Sequence, residues 1–205
     1  MSEPHPPKPT GSARRERRRL EMRSRILEAA LMRFRETGFD ATTVVEICES
    51  ADIAYGTLFN HFPTKLDLLR AIVDESQDTL AQNVEELAKE VGSMSDKLHS
   101  LFELVARYSE TFGPGQRDLV AQMIALGYQE SPADKDRRLH SIFRGFLESG
   151  VAGGEVCEED LDALTEILFG AYSSLTLGWV HFDDYPLAAR AQHVAALLSR
   201  ILKRT

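Results

Sequence analysis

TTVVEICESADIAYGTLFNHFPTK, running from Thr42 to Lys65, is the stretch whose reading decides the fold. A good helical pattern stops at Ala51-Asp52-Ile53, restarts at Ala54-Tyr55-Gly56-Thr57, and stops again at Pro63. Its first start is marked by Thr43-Val44-Val45-Glu46. In this capping box the Thr hydroxyl and the Glu carboxylate each satisfy an orphan backbone donor, so a helix begins at Thr43. Asp52 falls where the chain must turn sharply, and Asp tolerates the left-handed conformation better than most residues other than Gly. Ile53 is placed to plug the angle between the two helices.

Two short helices joined by a tight turn, the second about two turns long, form a helix-turn-helix unit whose second helix enters the major groove of DNA. Gly56 inside that helix costs roughly 1 kcal/mol relative to Ala, a cost explained by close approach to another backbone. Ala54 and Gly56 let the leading turn sink toward base edges, while Tyr55 and Thr57 offer hydroxyls to bases or phosphates. Asn60 is counted with the same surface. Leu58 and Phe62 read as core plugs.

The chain has 205 residues, enough for one large or two small domains, and 43% hydrophobic content supports a packed core. No apolar run long enough for a membrane span occurs, and the first residues lack the apolar core of a secretory signal, which predicts a cytoplasmic protein. Cys48 and Cys157 lie far apart in unrelated contexts and read as reduced thiols. The net charge of −8 conceals a split: residues 1–65 hold 11 Lys or Arg against 9 Asp or Glu, and the remainder holds 13 against 23. Arg14, Arg15, Arg17, Arg18, Arg19, Arg23 and Arg25 oppose only Glu16 and Glu21. That cluster reads either as a solvated helical face or as an end that meets a polyanion.

Residues 1–12 carry four prolines plus Gly and Ser and read as a disordered tail. A first helix follows to about Thr37, with Leu20, Ile26, Leu27, Ala30, Leu31 and Phe34 at helical spacing and Gly38 as its stop. From Pro63 onward the pattern is helical, broken near Gly92-Ser93, Gly113 to Gly115, Ser131-Pro132, Gly150 to Gly154, and Asp183 to Pro186. No segment alternates with period two. The expected fold is all-α with nine helices: a helix-turn-helix DNA-binding domain over 13–64 and a helical ligand-binding and dimerisation domain over 65–205.

The stretch from Gly38-Phe39 through Thr42-Thr43-Val44, Ile47, Ala51, Gly56-Thr57-Leu58-Phe59 and His61-Phe62 to Lys65-Leu66 resembles the DNA-binding domain of TetR-family transcriptional regulators. The resemblance covers about fifty residues, including Ile26, Leu27, Ala29, Ala30 and Phe34 of the first helix. It implies that Thr43, Thr57, His61 and Lys65 lie near phosphates and that Tyr55, Gly56 and Phe59 face the groove. His61 reads equally as a hydrogen-bonded spacer at the helix end. Ala54 stands where the family usually has Ser, Phe59 where it has Tyr, Asp52 where Gly is common, and Cys48 where Ala is common.

In the remainder, the segment Leu119 to Tyr128 is apolar nearly all round, which predicts burial on every side. Phe102, Met123, Tyr128, Phe143, Phe146, Tyr172 and Trp179 are the expected lining of a ligand pocket, although each also reads as ordinary core. The helix from about Glu158 to Phe182 puts Leu161, Leu164, Leu168, Tyr172, Leu175 and Trp179 on one stripe, and Ala163, Ile167, Gly170, Ser174, Gly178 and His181 opposite. The second stripe calls for a neighbouring helix. Gly170, Ser174 and Gly178 permit close approach, and Ala191, Ala195 and Leu198 of the last helix complete an expected four-helix dimer interface. His181 reads as a packed or hydrogen-bonded residue rather than a ligand. No catalytic motif, cofactor motif or metal cluster is recognisable.

The resemblance, together with the pocket composition, implies a homodimeric, ligand-responsive regulator, a repressor, that binds a pseudopalindromic operator. Its effector is expected to be largely apolar or aromatic. The helix beginning at Lys65 is expected to couple the effector to the spacing of the two recognition helices. They must match half-sites about 34–36 Å apart or a multiple of that. The alternative is an architectural DNA-binding dimer without an inducer.

Overall fold

The computed structural model describes the backbone of residues 11–110, 115–130 and 132–202, and the side chains of these except 108–110, 127–130 and 132–137. Among the described residues the chain is all helical: α1 (Gly11–Thr37), α2 (Val44–Ala51), α3 (Tyr55–His61), α4 (Lys65–Lys89), α5 (Met94–Glu110), α6 (Gln116–Glu130), α7 (Pro132–Ala152), α8 (Leu161–His181) and α9 (Leu187–Leu202). A single turn of 3₁₀ helix, Glu158–Asp160, leads into α8. Gly11 and Ser12, assigned from sequence to the tail, belong to α1, and residues 1–10 lie outside the described residues.

Two apolar cores organise these helices. The first is a head built on Ile26, Leu27, Ala30 and Phe34 of α1, Ile47 and Ala51 of α2, Leu58 of α3, and Leu68, Leu69 and Ile72 of α4. Leu119 and Leu126 of α6 close it from the far side. The second is a body in which Val84 of α4, Leu98 and Phe102 of α5, Phe143 and Phe146 of α7, Leu168 and Trp179 of α8, and Ala195 of α9 meet. α4 thus enters both cores, with its first two turns in the head and its later part in the body.

The apolar stripe of α8 lies where its periodicity puts it. Leu161, Leu164, Leu168, Leu175 and Trp179 are buried and Tyr172 is half-buried, while Ala163, Ile167, Gly170 and Ser174 are exposed. His181 is exposed, with Nδ1 2.9 Å from the Leu177 carbonyl oxygen.

Three expectations are corrected by the packing. Ala191, Ala195 and Leu198 of α9 do not face outward to a second chain. They are buried with Leu187 and Leu202 along one side of α9, in the body core that α9 forms chiefly with α5. A row of small residues at four-residue spacing receives any closely approaching helix, and here that helix is the chain's own α5. Gly178 is likewise occupied from within, because the Tyr185 ring lies where a Cβ on Gly178 would stand. The segment from Leu119 is not buried on every side: Val120 to Ile124 are partly buried and Ala125 is exposed. α6 is a strut between head and body, with Leu119 and Leu126 in the head and Val120 against the body core.

Candidate nucleic-acid interface

The head presents its two short helices by local chemistry. Thr43 Oγ1 accepts from the Glu46 backbone N–H at 3.3 Å, and Glu46 Oε2 accepts from Thr43 N–H at 2.7 Å and from Thr43 Oγ1 at 2.8 Å. These bonds, first the backbone one and then the hydroxyl, hold the Glu46 carboxyl below the usual carboxylate range. The Thr43 hydroxyl, which the family resemblance sets near phosphate, is therefore engaged in capping α2. α4 repeats the device with Thr64 and Asp67. The Thr64 hydroxyl is the largest cause holding the Asp67 carboxyl low, aided by Arg70.

Between α2 and α3 the chain turns at Asp52, whose φ of 50° and ψ of 57° place it in the left-handed region anticipated from the sequence. Its N–H and that of Ile53 close the end of α2 on the Glu49 and Cys48 carbonyls. Arg25 reaches across from α1 to donate to the carbonyl oxygens of Ala51 and Asp52, fixing the turn from below. Ile53 packs on the head core, as its plugging role requires. Cys48 is buried beneath the turn. Burial first, then the Glu49 charge, push its thiol pKa up, so it is an inert apolar filler.

α3 itself is anchored by Leu58, which is fully buried, and by Phe62 at its end. Its other face is turned outward. Tyr55 is 55% exposed, Ala54, Gly56 and Asn60 are exposed, and Thr57, Phe59 and His61 are half-buried. Tyr55 and Phe59 are one turn apart with ring centroids at 4.6 Å, which orders the tyrosine before any partner arrives. A Cβ on Gly56 would meet nothing within 4 Å, so nothing in the chain's own packing requires glycine there. Ala54 provides no side-chain cap, as the substitution of Ala for the family's Ser implied.

Lys65, like Thr43, is a member of the expected DNA set that is engaged within the head. Its ammonium donates to the carbonyl oxygens of Phe39 at 2.6 Å and Thr42 at 2.9 Å, with Asp40 at 3.4 Å, and lies 4.4 Å from the centre of the Phe39 ring. Those acceptors belong to the loop joining α1 to α2, so Lys65 staples that loop to the start of α4. In the chain by itself its ammonium is thus held to the loop, not extended toward a phosphate. Lys65→Ala is expected to lower stability by about 2 kcal/mol, because hydrogen bonds to a charged group are lost and their carbonyls stay half-buried. The slope of DNA affinity against salt should not change. Denaturant unfolding and a salt titration check the two halves.

Sequence reasoning also missed how the head is held to the body. The Gly115 N–H donates to the Arg35 carbonyl at 2.9 Å, and the Phe39 N–H donates to Asp118 Oδ2 at 2.7 Å. Gln122 Nε2 donates to Asp40 Oδ2 at 3.3 Å. Gly38, at φ 90°, and Gly115 face each other across this joint so closely that a Cβ on Gly115 would overlap the Gly38 and Phe34 backbones. Arg117 continues the strut to the other side, donating to the Phe182 and Asp183 carbonyls in the α8–α9 turn. The sequence signal is the pair Gly38 and Gly115, each of which reads by itself as no more than a helix boundary.

Of the expected pocket residues, Phe102, Phe143, Phe146 and Trp179 meet in the body core and Tyr172 packs on them, its ring 5.2 Å from that of Phe143. Met123 does not join them, because the half-turn of α6 that carries it leans on the head core instead. The Tyr128 side chain lies outside the described residues. Among the described residues no group of His, Cys, Asp and Glu could hold a metal ion, and no helix is long and apolar enough to cross a membrane.

An outward-facing second helix on a three-helix head, carried by a helical body, defines a DNA-binding protein of the helix-turn-helix class. The family profile described as bacterial regulatory proteins, tetR family, matches residues 26–72. Over nearly its whole length the chain is similar to the HTH-type transcriptional regulator UidR of Escherichia coli (strain K12), with 34% identity over 186 residues, 88% of this chain and 92% of that one. Among solved structures it is similar to Salmonella enterica GusR, with a TM-score of 0.66 and 27% identity over 90% of this chain and 95% of that one. It shares its fold with Thermus thermophilus FadR, a TetR-family transcriptional repressor in complex with lauroyl-CoA, at a TM-score of 0.63 and 24% identity over 86% and 92% of the two chains. The chain belongs to the TetR family of bacterial transcriptional regulators, which are not enzymes.

Proposed function

We propose that this regulator is a repressor that grips a pseudopalindromic operator as a homodimer in the cytoplasm and changes its grip when a small molecule enters the body. The observation that carries the DNA part is the outward face of α3, where Tyr55 stands exposed beside a glycine that the chain's own packing leaves in open space. Residues 13–64 then read DNA, and residues 65–205 bind the effector and dimerise. Tyr55, Thr57 and Phe59 are assigned to base edges, with His61 and Asn60 at the phosphates flanking them.

Dimerisation is supported by an exposed apolar surface on α8 and α9. Ile167 is 47% exposed on α8 beside the exposed Gly170 and Ser174, and Leu197 is 50% exposed on α9 with Ile201 nearby. Leu197 and Ile201 take the place of Ala191, Ala195 and Leu198 in the four-helix interface. Exposed small and apolar positions on two adjacent helices fit a two-fold contact of each with its copy. The effector is assigned to the aromatic interior around Phe102, Phe143, Phe146 and Tyr172, and is accordingly largely apolar or aromatic. The lauroyl-CoA held by Thermus thermophilus FadR supports a small-molecule effector in a body of this fold.

Coupling would run through α6 as well as α4. α6 touches the head at Gly38 and Phe39 and the α8–α9 turn at Phe182 and Asp183, so its displacement moves the head relative to the dimer surface. Selection of bound sequences from random DNA tests the reading. The wild type should enrich a two-fold symmetric site, and Tyr55→Ala should relax base preference at the central positions of each half-site, with a loss of about 1–3 kcal/mol per site. Native mass spectrometry of the purified protein should give twice the chain mass plus any retained effector. Enrichment of no sequence, or a monomer mass, would defeat it.

A further inference from the structure

The exposed first ten residues of α1 have no part in either core, and their charge is unlike that of the rest of the chain. Every residue from 11 to 20 is exposed and the first fully buried residue is Ile26. At 1.5 Å per residue, residues 11–20 make a helical arm of about 15 Å beyond the head. An exposed polar helix of this kind is held by its attachment to a packed helix and by pairs along its own surface. Two such pairs are present: Arg19 Nη2 to Glu16 Oε1 at 2.8 Å and Arg17 Nε to Glu21 Oε1 at 3.4 Å.

Those pairs account for Arg17 and Arg19. Arg23 lies over the Phe62 ring at 4.4 Å, and Arg25 holds the Ala51 and Asp52 carbonyls. Arg14, Arg15 and Arg18 have no partner among the described residues. At 100° per residue they fall within an arc of about 100°, and Arg25 lies inside the same arc, about 20° from Arg14. Arg25 touches the turn that leads into α3, and Arg23 touches the residue that ends α3. The arm's root therefore touches both ends of the recognition helix, and the guanidinium groups of Arg14, Arg15 and Arg18 continue the line of Arg25 along α1.

We infer that this arm is a second DNA-binding element, in which Arg14, Arg15 and Arg18 bind the phosphates of the duplex beside each half-site. The inference rests on the reading of α3 as the recognition helix, since it is the duplex seated there that the arm extends along. The charge argument favours nucleic acid: the arm and its root on the head, residues 11 to 25 together, carry seven arginines against two glutamates in a chain whose net charge is −8. A protein acidic as a whole repels DNA, and a local cationic arm at the contact edge offsets this while releasing counterions from the backbone. Arginine suits the task because its planar fork matches phosphate oxygens.

The test compares wild type with the triple variant Arg14→Gln, Arg15→Gln, Arg18→Gln on two duplexes, one ending at the outer edges of the selected operator and one with ten further base pairs on each side. All three side chains are exposed, and an unchanged circular dichroism spectrum and melting curve confirm that the fold is kept. On the long duplex the wild type should show a steeper dependence of log affinity on log salt, by about 0.9 for each phosphate that the variant no longer neutralises and up to about 5 for a dimer. At 0.15 M salt the variant should bind the long duplex at least tenfold more weakly, with base preference unchanged. On the short duplex the two proteins should agree. Equal slopes on the long duplex overturn the inference while leaving the α3 reading intact. An equal loss on both duplexes overturns the flanking position. A wild type that selects no sequence and binds neither duplex removes the arm together with the reading it rests on.

Discussion

Gly56→Ala is expected to make the free protein more stable and to make it a poorer DNA binder. Gly56 is the second residue of α3, its backbone is helical, and a methyl group added there meets nothing within 4 Å. Replacing a helical glycine by alanine in open space gains up to about 1 kcal/mol, since the unfolded chain loses freedom that glycine alone has. On DNA the same methyl stands at the surface that must sink toward the base edges. Losing the fit of one close approach costs about 1–3 kcal/mol per half-site, so a dimer should weaken at least thirtyfold on its operator. Thermal unfolding and operator titration move in opposite directions for this one change. A variant that melts higher and binds as well as wild type would mean that α3 does not approach the duplex at Gly56.

The second large effect is expected at Gly115, where the opposite logic applies. A Cβ on Gly115 would overlap the Gly38 nitrogen and the Phe34 carbonyl oxygen, which are main-chain atoms that no rotamer change can move. Gly115→Ala must therefore push α6 away from the end of α1, with the loss of the Arg35 carbonyl bond and of the Asp118 bond to Phe39. Overpacking alone costs about 1–3 kcal/mol, and the severed bonds add to it. Chemical denaturation should show the loss. In whatever fraction remains folded, an effector that shifts operator affinity in the wild type should shift it much less, because the strut no longer joins the head to the α8–α9 turn. If the variant unfolds at the wild-type denaturant concentration and keeps its full response, the joint between Gly38 and Gly115 is not a point of coupling.

What is legible in the sequence is what neighbouring residues decide among themselves. The Thr43 and Glu46 box, the left-handed Asp52 and the apolar stripe of α8 depend on spacing along one or two turns, and each is found where the spacing puts it. What is not legible depends on which distant segment arrives. Lys65 sits at a helix start, which suits an anion, but the loop around Phe39 and Thr42, more than twenty residues away, supplies its acceptors. The small face of α9 looks the same from sequence whether α5 or another chain lies against it. Gly178 offers a gap, and only the return of the chain at Tyr185 determines what enters it. At the candidate site the identity of the outward residues is readable, since exposure of a short amphipathic helix follows from its buried side. The bracing by Arg25 from beneath is not, because it joins positions 26 and 27 residues apart.

The double membership of α4 bears on how this molecule could be taken apart. A chain severed after residue 64 would leave Ile26, Phe34 and Leu58 without Leu68, Leu69 and Ile72, the floor on which they lie. Cutting later, beyond Val73, would restore that floor but still omit Leu119 and Leu126. The portion that recognises DNA is therefore not a detachable cassette. Grafting it onto another regulator requires that the recipient supply an α6-like helix with apolar side chains at the positions of those two leucines.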